Sequence, residues 1–190
     1  MMNQHHFSRC YGRQHGVALI TGLIFLVVLT LIAITAARMA GLEERMSGNM
    51  RDRSLAVQAA EMALRDAERD IRGGAGITRS PAMSGITGFV ADCGSSTGAT
   101  GDDGLCYNGP AGYATPIWTT TSMTAAPSVA YGAFTGATPI AGLSAAPRYI
   151  IEGIRKTPPG GGLIFYYRIT TRAQGANPNT VVWLQEVFRP

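Results

Sequence analysis

The side chains that most often carry catalysis are few in this chain. His5, His6 and His15 are its three histidines, and Cys10, Cys93 and Cys106 its three cysteines. Ser/His and Cys/His nucleophilic catalysis and the common zinc sites all depend on a neutral imidazole nitrogen. Every histidine precedes Gly16, so a chain cut after that glycine keeps no imidazole, and those chemistries are lost with it. Ser/Lys catalysis would rest on Lys156, the only lysine, at the edge of a glycine-proline loop. Paired-carboxylate catalysis would need acids gathered around it, and the sequence gathers none there. Asp102-Asp103-Gly104 invites a calcium reading, yet the alternating acids and distal glutamate of a calcium loop are missing. No metal or other cofactor is expected. Cys93 and Cys106 lack the C-x-x-C spacing of a redox or metal pair. With no third thiol nearby in an oxidising compartment, they read as a disulfide. Closing a loop of about 14 residues would stabilise by roughly 3 kcal/mol.

The element that dominates the chain is the charge-free stretch GVALITGLIFLVVLTLIAITAA, from Gly16 to Ala37. From Val17 onward its only non-hydrophobic residues are Thr21, Gly22, Thr30 and Thr35. A helix of that length rises about 32 Å, enough to span a hydrocarbon core. The residues before it carry Arg9, Arg13 and the three histidines with no acid. By the positive-inside tendency, residues 1–16 stay in the cytoplasm and the remainder is exported. A cleaved secretory signal is the competing reading, with Thr35-Ala36-Ala37 as a loose cleavage site. Such signals have shorter apolar cores, of about 7–15 residues.

Of the sixteen basic residues, fourteen remain once Arg9 and Arg13 are set aside, against twelve acids. Basicity is therefore partly a property of the leader, and no run of like charge marks a nucleic-acid partner. The residues beyond the spanning stretch suffice for one soluble domain.

From Arg38 to Arg72 the chain has no proline and is dense in good helix formers. Met39, Leu42, Met46, Met50, Val57, Ala60, Leu64, Ala67 and Ile71 fall on one stripe at 3.6 residues per turn, so one face is to be covered. Seven acids balance seven arginines on the remaining surface, read here as a solvated face with Glu61–Arg65 and Glu68–Arg72 pairs at i,i+4. Gly41 and Gly48 weaken the helix locally, and a bend or melted turn near Gly48 is expected. Leu55 and Met62 point away from the stripe, where they suit either a neighbouring subunit or an ordinary surface.

Residues 73–146 are rich in Gly, Ala, Ser, Thr and Pro and read as loops with a few short strands. Cys93, Cys106, Tyr107, Tyr113, Trp118 and Tyr131 tie much of this stretch to a body. Residues 147–190 read as an antiparallel sheet, with strands at Arg148 to Arg155, Leu163 to Arg172 and Val181 to Phe188. In the second strand Leu163, Phe165, Tyr167 and Ile169 share one face, while Arg168 and Arg172 share the other. The expected fold class is α+β: a long N-terminal helix, apolar all round over 17–37 and amphipathic over 38–72, packed on an antiparallel sheet in a globular domain of 73–190.

A short basic leader ending in Gly16, an apolar helix directly after it, an amphipathic continuation and a C-terminal sheet together resemble a type IV pilin. The resemblance is closest to the minor pilins of the PilX family. It rests on GVALITGLIFLVVLTL, on LEERMSGNMRDR with AVQAAEMALRDAE, and on YYRITTRAQGANPNTVVWLQEVFRP, and covers roughly the first 72 and last 45 residues. It implies that a prepilin peptidase cuts after Gly16 and methylates Val17. Major pilins resemble one another in a glutamate at the fifth mature position, where it is thought to pair with a neighbour's free amine. This chain has Thr21 there.

The implied role is a non-catalytic subunit that helps initiate or cap a type IV pilus. It would sit in the bacterial inner membrane as a single-pass protein with its C-terminal domain in the periplasm. The implied partners are other minor pilins, the major pilin, a large tip adhesin, the prepilin peptidase and the inner-membrane assembly machinery. A tip pseudopilin of a type II secretion system is the alternative within the class, although those usually resemble each other in a larger inserted helical domain. A membrane-anchored periplasmic enzyme or binding module is the alternative outside it.

Overall fold

The computed structural model describes residues 15–74, 76, 79, 83, 85–90, 93, 103–107 and 116–190. His5, His6, Arg9, Cys10 and Arg13 of the leader, and also Asp102 and Tyr113, lie outside the described residues. The elements run α1 (His15–Arg72), β1 (Leu105–Cys106), a 3-10 turn (Ile117–Thr119), β2 (Val129–Ala130), β3 (Arg148–Lys156), β4 (Ile164–Gln174) and β5 (Val181–Phe188). The chain divides into two compact units, one ending at Gly48 and the other running from Asn49 to Pro190.

In the first unit α1 is apolar on every side from Val17 to Ala37, and its large side chains from Val17 to Ile34 are all exposed. A backbone in hydrocarbon must satisfy its own polar groups, which a helix does. Helical hydrogen bonding continues through Gly22, Gly41 and Gly48, so the melted turn expected near Gly48 does not occur. Each glycine weakens a helix by about 1 kcal/mol, and the Ala-, Leu-, Met- and Glu-rich turns around them are strong formers.

In the second unit the last turns of α1 lie across the sheet. Ala56, Ala59, Ala60, Ala63, Leu64, Ala67 and Ile71 are buried. Small alanines let the sheet approach closely, and Thr171 Oγ1 donates to the carbonyl of Ala60 at 3.3 Å. The expected stripe is thus covered only in part: Ala60, Leu64, Ala67 and Ile71 are buried, whereas Met39, Leu42, Met46 and Met50 stay exposed. The helix ends at Gly73, whose positive φ of 63° is the left-handed conformation that a C-terminal glycine adopts most easily.

The sheet order is β1-β3-β4-β5, with β2 also on β3. β3, β4 and β5 form the expected antiparallel meander, in register from Arg148↔Arg172 to Lys156↔Ile164 and from Gln174↔Val181 to Tyr167↔Phe188. β1 adds a short parallel pairing, Leu105↔Ile151 and Cys106↔Glu152. β2 pairs antiparallel further along the same side of β3.

Tyr149 and Ile151 of β3 and Tyr167 and Ile169 of β4 form the main core with Leu64, Ala67 and Ile71 of α1. Ala173 and Val182 meet Ala56, Ala59 and Ala60 in a second cluster. Gly153 of β3 leaves room for Phe89, whose Cδ1 would lie 3.0 Å from an added Cβ. Leu163 departs from its expected place on the buried face. It precedes β4 and is 56 % exposed, because the glycine-rich turn before it ends pairing at Ile164.

Candidate functional site

Gly16 and Val17 lie in the first turns of α1, where Val17 is exposed and nothing crowds the glycine. One turn further on, Thr21 Oγ1 donates to the carbonyls of Val17 at 3.0 Å and Ala18 at 3.1 Å. Thr30 and Thr35 do the same to Val27 and Ile32, each at 2.8 Å. Every hydroxyl of the apolar half is therefore satisfied within its own helix. The helix is long and apolar enough to cross a membrane, with a mean hydropathy of 3.0 in its most apolar window.

Cys93 and Cys106 form a disulfide, with their Cα atoms 4.0 Å apart. It fastens the segment around Val90 to β1, where Val90 accepts from the Tyr107 amide at 2.9 Å and donates to Leu105 at 3.1 Å. Both cysteines pack with Ile117, Met123 and Ile150 on the face of the sheet away from α1. On that face Arg168 grips Glu152 through two hydrogen bonds, of 2.7 and 2.6 Å, from β4 to β3. Glu152 also accepts from the Ile117 amide at 3.3 Å, which seats the 3-10 turn. Trp118 then packs against Trp183 of β5, ring centroids 5.7 Å apart.

Glu43, Glu44 and Glu61 are exposed as expected, but three other acids of α1 depart from the expected solvated face. Asp66, Glu68 and Asp70 are buried. Asp66 accepts from the Gly132 amide at 2.7 Å and from the Thr135 hydroxyl. Asp70 accepts from Tyr149 Oη at 3.0 Å and faces Arg79 Nε at 3.2 Å. Burial pushes the Asp70 carboxyl up to about 6, with Arg79 and then Tyr149 acting against the shift. The same burial, reinforced by Asp70, raises the Tyr149 phenol well above its ordinary value.

Glu68 takes both Arg65, at 2.6 Å, and the expected Arg72, at 3.4 Å. Arg65 thereby pairs at i,i+3 with Glu68, in place of the expected Glu61. Glu186 of β5 meets Glu68, and its own carboxyl is raised by desolvation first and then by the hydrogen bond and charge of Glu68. Asp52 accepts from the amides of Ala176 at 2.6 Å and Asn177 at 3.3 Å, holding the β4–β5 loop to the helix. Its carboxyl is lowered chiefly by a hydrogen bond from Thr180. Gly175 lets the Asp52 carboxylate approach the loop backbone, and a Cβ there would oblige that carboxylate to shift. The sequence carried one signal for this arrangement: the alanines at 56, 59, 60, 63 and 67 extend the buried arc beyond the apolar stripe, with Asp70 within it and Asp66 at its margin.

These groups build a joint between helix and sheet. Lys156 is exposed with its ammonium 5.9 Å from the Tyr166 ring, apart from the buried carboxylates. Asp103 is buried and its carbonyl accepts from Arg79 at 2.7 Å. Among the described residues no group of three His, Cys, Asp or Glu is placed to hold a metal ion.

An N-terminal helix that begins as an apolar membrane-length stretch, and whose last turns lie on an antiparallel meander, defines a type IV pilin-like protein. Residues 102–190 match the family described as Type IV pilus assembly protein PilX C-term, and residues 15–65 match PilX N-terminal. The two matches together cover well over half of the chain, which belongs to the PilX family of type IV pilus assembly proteins. No curated protein and no solved structure matches it.

Proposed function

We propose that this protein is a non-catalytic minor pilin that helps initiate or cap type IV pilus assembly at the inner membrane and filament tip. Thr21 carries the reading. A carboxylate in an apolar helix bundle is costly unless a neighbour's cation compensates it, which ties its owner to that neighbour. The Thr21 hydroxyl is satisfied by Val17 and Ala18 of its own helix and asks for no neighbour. A subunit so built suits the end of a stack, where one neighbour is missing, and its N-terminal amine stays available to the glutamate of the next subunit.

In this reading the prepilin peptidase removes residues 1–16 and methylates Val17, the helix anchors the chain in the inner membrane, and the unit from Asn49 faces the periplasm. Its partners are other minor pilins, the major pilin, a large tip adhesin and the inner-membrane assembly machinery. The test is the ratio of this chain to major pilin in sheared filaments, with labelling to locate it. A few copies per filament, at one end, are expected. Abundance approaching that of the major subunit, or label spread evenly, would overturn the placement, as would a deletion strain that keeps its pili and loses protein secretion.

A further inference from the structure

The face of the sheet turned away from α1 carries a row of side chains that costs the fold stability. Arg148 of β3 and Arg172 of β4 stand directly opposite one another in register, on the same face as Ile150 and Arg168. Like charges in directly opposed positions destabilise a sheet. Ser128 holds Arg148 in place, its hydroxyl accepting from Nε at 2.8 Å and its carbonyl from Nη2. Among the described residues neither Arg148 nor Arg172 has a carboxylate partner. The only acid that β3, β4 and β5 place on this face is Glu152, which Arg168 grips. Glu186 of β5 turns the other way, to Glu68 of α1.

Beside the arginine pair, β5 supplies an indole. Trp183 is the register partner of Arg172, whose guanidinium carbon lies 6.0 Å from the ring centroid. Trp183 is 43 % exposed. With Trp118, Thr170, Leu184 and Gln185 it lines a cavity of about 400 Å³, a size that holds a small molecule or part of a larger one. Gln185 Nε2 donates to Thr170 Oγ1 at 2.9 Å, which fixes the amide in that lining. At the other end of β4, the Lys156 ammonium and the Arg189 guanidinium each lie 5.9 Å from the Tyr166 ring. The two cationic ends are about 20 Å apart along β4. Between them the face is uncharged or neutralised, with Thr170, Gln185, Val187 and the Arg168–Glu152 pair.

We propose that this face binds an acidic polysaccharide, a polymer in which uronic acids alternate with neutral sugars. A uronate carboxylate takes Arg172, with Arg148 beside it, and so offsets the repulsion between the two guanidinia. A pyranose is apolar on its flat faces and hydroxylated at its rim, so it suits the Trp183 indole with the Gln185 amide alongside. The polymer then runs along β4 and brings a second carboxylate to Lys156 and Arg189. Single-stranded nucleic acid carries a charge at every nucleotide and calls for cations along its whole path. The uncharged middle of this face suits charges spaced by neutral sugars. The site draws nothing from Thr21 or from the subunit's place in a filament, so it stands or falls separately from the proposed function.

The test uses the full chain in non-ionic detergent micelles with three probes of matched length. One is a hyaluronan octasaccharide, whose glucuronates alternate with neutral N-acetylglucosamine; one is a chitin oligosaccharide, neutral throughout; and one is a thymidine oligonucleotide. Emission of the chain's two tryptophans, Trp118 and Trp183, reads occupancy. Hyaluronan is expected to bind saturably, less tightly as salt is added, and about ten-fold tighter than either other probe, as a hydrogen bond between charged groups allows. Arg172→Gln removes one member of the opposed pair, so it should weaken hyaluronan about ten-fold while the urea midpoint stays in place or rises. Lys156→Gln with Arg189→Gln, both at exposed positions, should weaken the octasaccharide and leave a hyaluronan disaccharide unaffected. No binding of hyaluronan to the folded chain, equal binding of chitin, or binding that Arg172→Gln leaves unchanged would overturn the proposal. A lower urea midpoint in Arg172→Gln would show the arginine row to be structural and overturn it as well. Tighter binding of the oligonucleotide would assign the face to nucleic acid and overturn the stated ligand.

Discussion

Replacing Asp70 by asparagine should flatten the dependence of stability on pH between about 5 and 7. In the folded chain the Asp70 carboxyl titrates at about 6, against an ordinary value of 3.8, because burial disfavours its charge more than Arg79 and Tyr149 restore it. Between those two values the folded chain holds a proton that the unfolded chain has released, so stability rises as pH falls. Integrated from pH 7 to pH 5, the gain is about 1.4 kcal/mol, close to ten-fold in the folded-to-unfolded ratio. Glu186 is raised as well and contributes with the same sign. Asp52 is lowered, so its contribution is present above 3.8 and lost as pH falls through its folded value, below this window. Urea unfolding of the full chain in micelles, followed by tryptophan emission at pH 5, 6 and 7, measures the slope. Wild type should gain stability toward pH 5, Asp70→Asn should lose about 1.4 kcal/mol of that gain, and Glu186→Gln should remove part of the rest. An Asp70→Asn chain with the full slope, or a wild type that weakens from pH 7 to 5, would refute the reasoning.

Ala60→Leu should destabilise by about 1–3 kcal/mol in the same assay, since Ala60 is fully buried and its carbonyl accepts from Thr171. Cys93→Ser opens a loop spanning a sequence separation of 13 and should lower stability by roughly 3 kcal/mol. In the native wild type, Cys93 and Cys106 should resist thiol labelling until reduced. Gly16→Arg should leave the leader attached, while mass spectrometry of the wild type should find a chain beginning at methylated Val17; a mature chain beginning near Arg38 contradicts this.

The long elements were legible because each repeats its own signal. The stretch from Gly16 to Ala37 is apolar at every spacing, and β3, β4 and β5 are dense in Ile, Val, Tyr and Thr between glycine-rich turns. β1 and β2 have two residues each, too few for any period, and exist because β3 offers them an edge. The disulfide could be read by elimination, since only two cysteines lie beyond the apolar stretch. The partners of the helix acids could not, because they lie far off in sequence: buried Asp66 is met by Gly132 and Thr135, buried Asp70 by Arg79 and Tyr149, and the more exposed Asp52 by Ala176. A charge on a helix looks solvated until the fold brings its counterpart, and here the counterparts sit on strands and loops folded back over α1. That β5 stands last in the strand order was hidden for the same reason, because a sequence shows where strands are and leaves open how they are ordered.

Thr21, Thr30 and Thr35 donate their hydroxyl protons to their own helix, and the rest of the surface from Val17 to Ala37 is hydrocarbon. Apart from the amine that cleavage after Gly16 would free at Val17, such a shaft has no bond of definite direction to give to whatever surrounds it. It can rotate about its axis, or slide past another greasy helix by a fraction of a turn, while breaking nothing. It serves as a bearing and leaves the keying of angle and height to polar groups elsewhere in the chain. In the proposed role, such a helix would pass from lipid to neighbouring subunits with its three hydroxyls already bonded within itself.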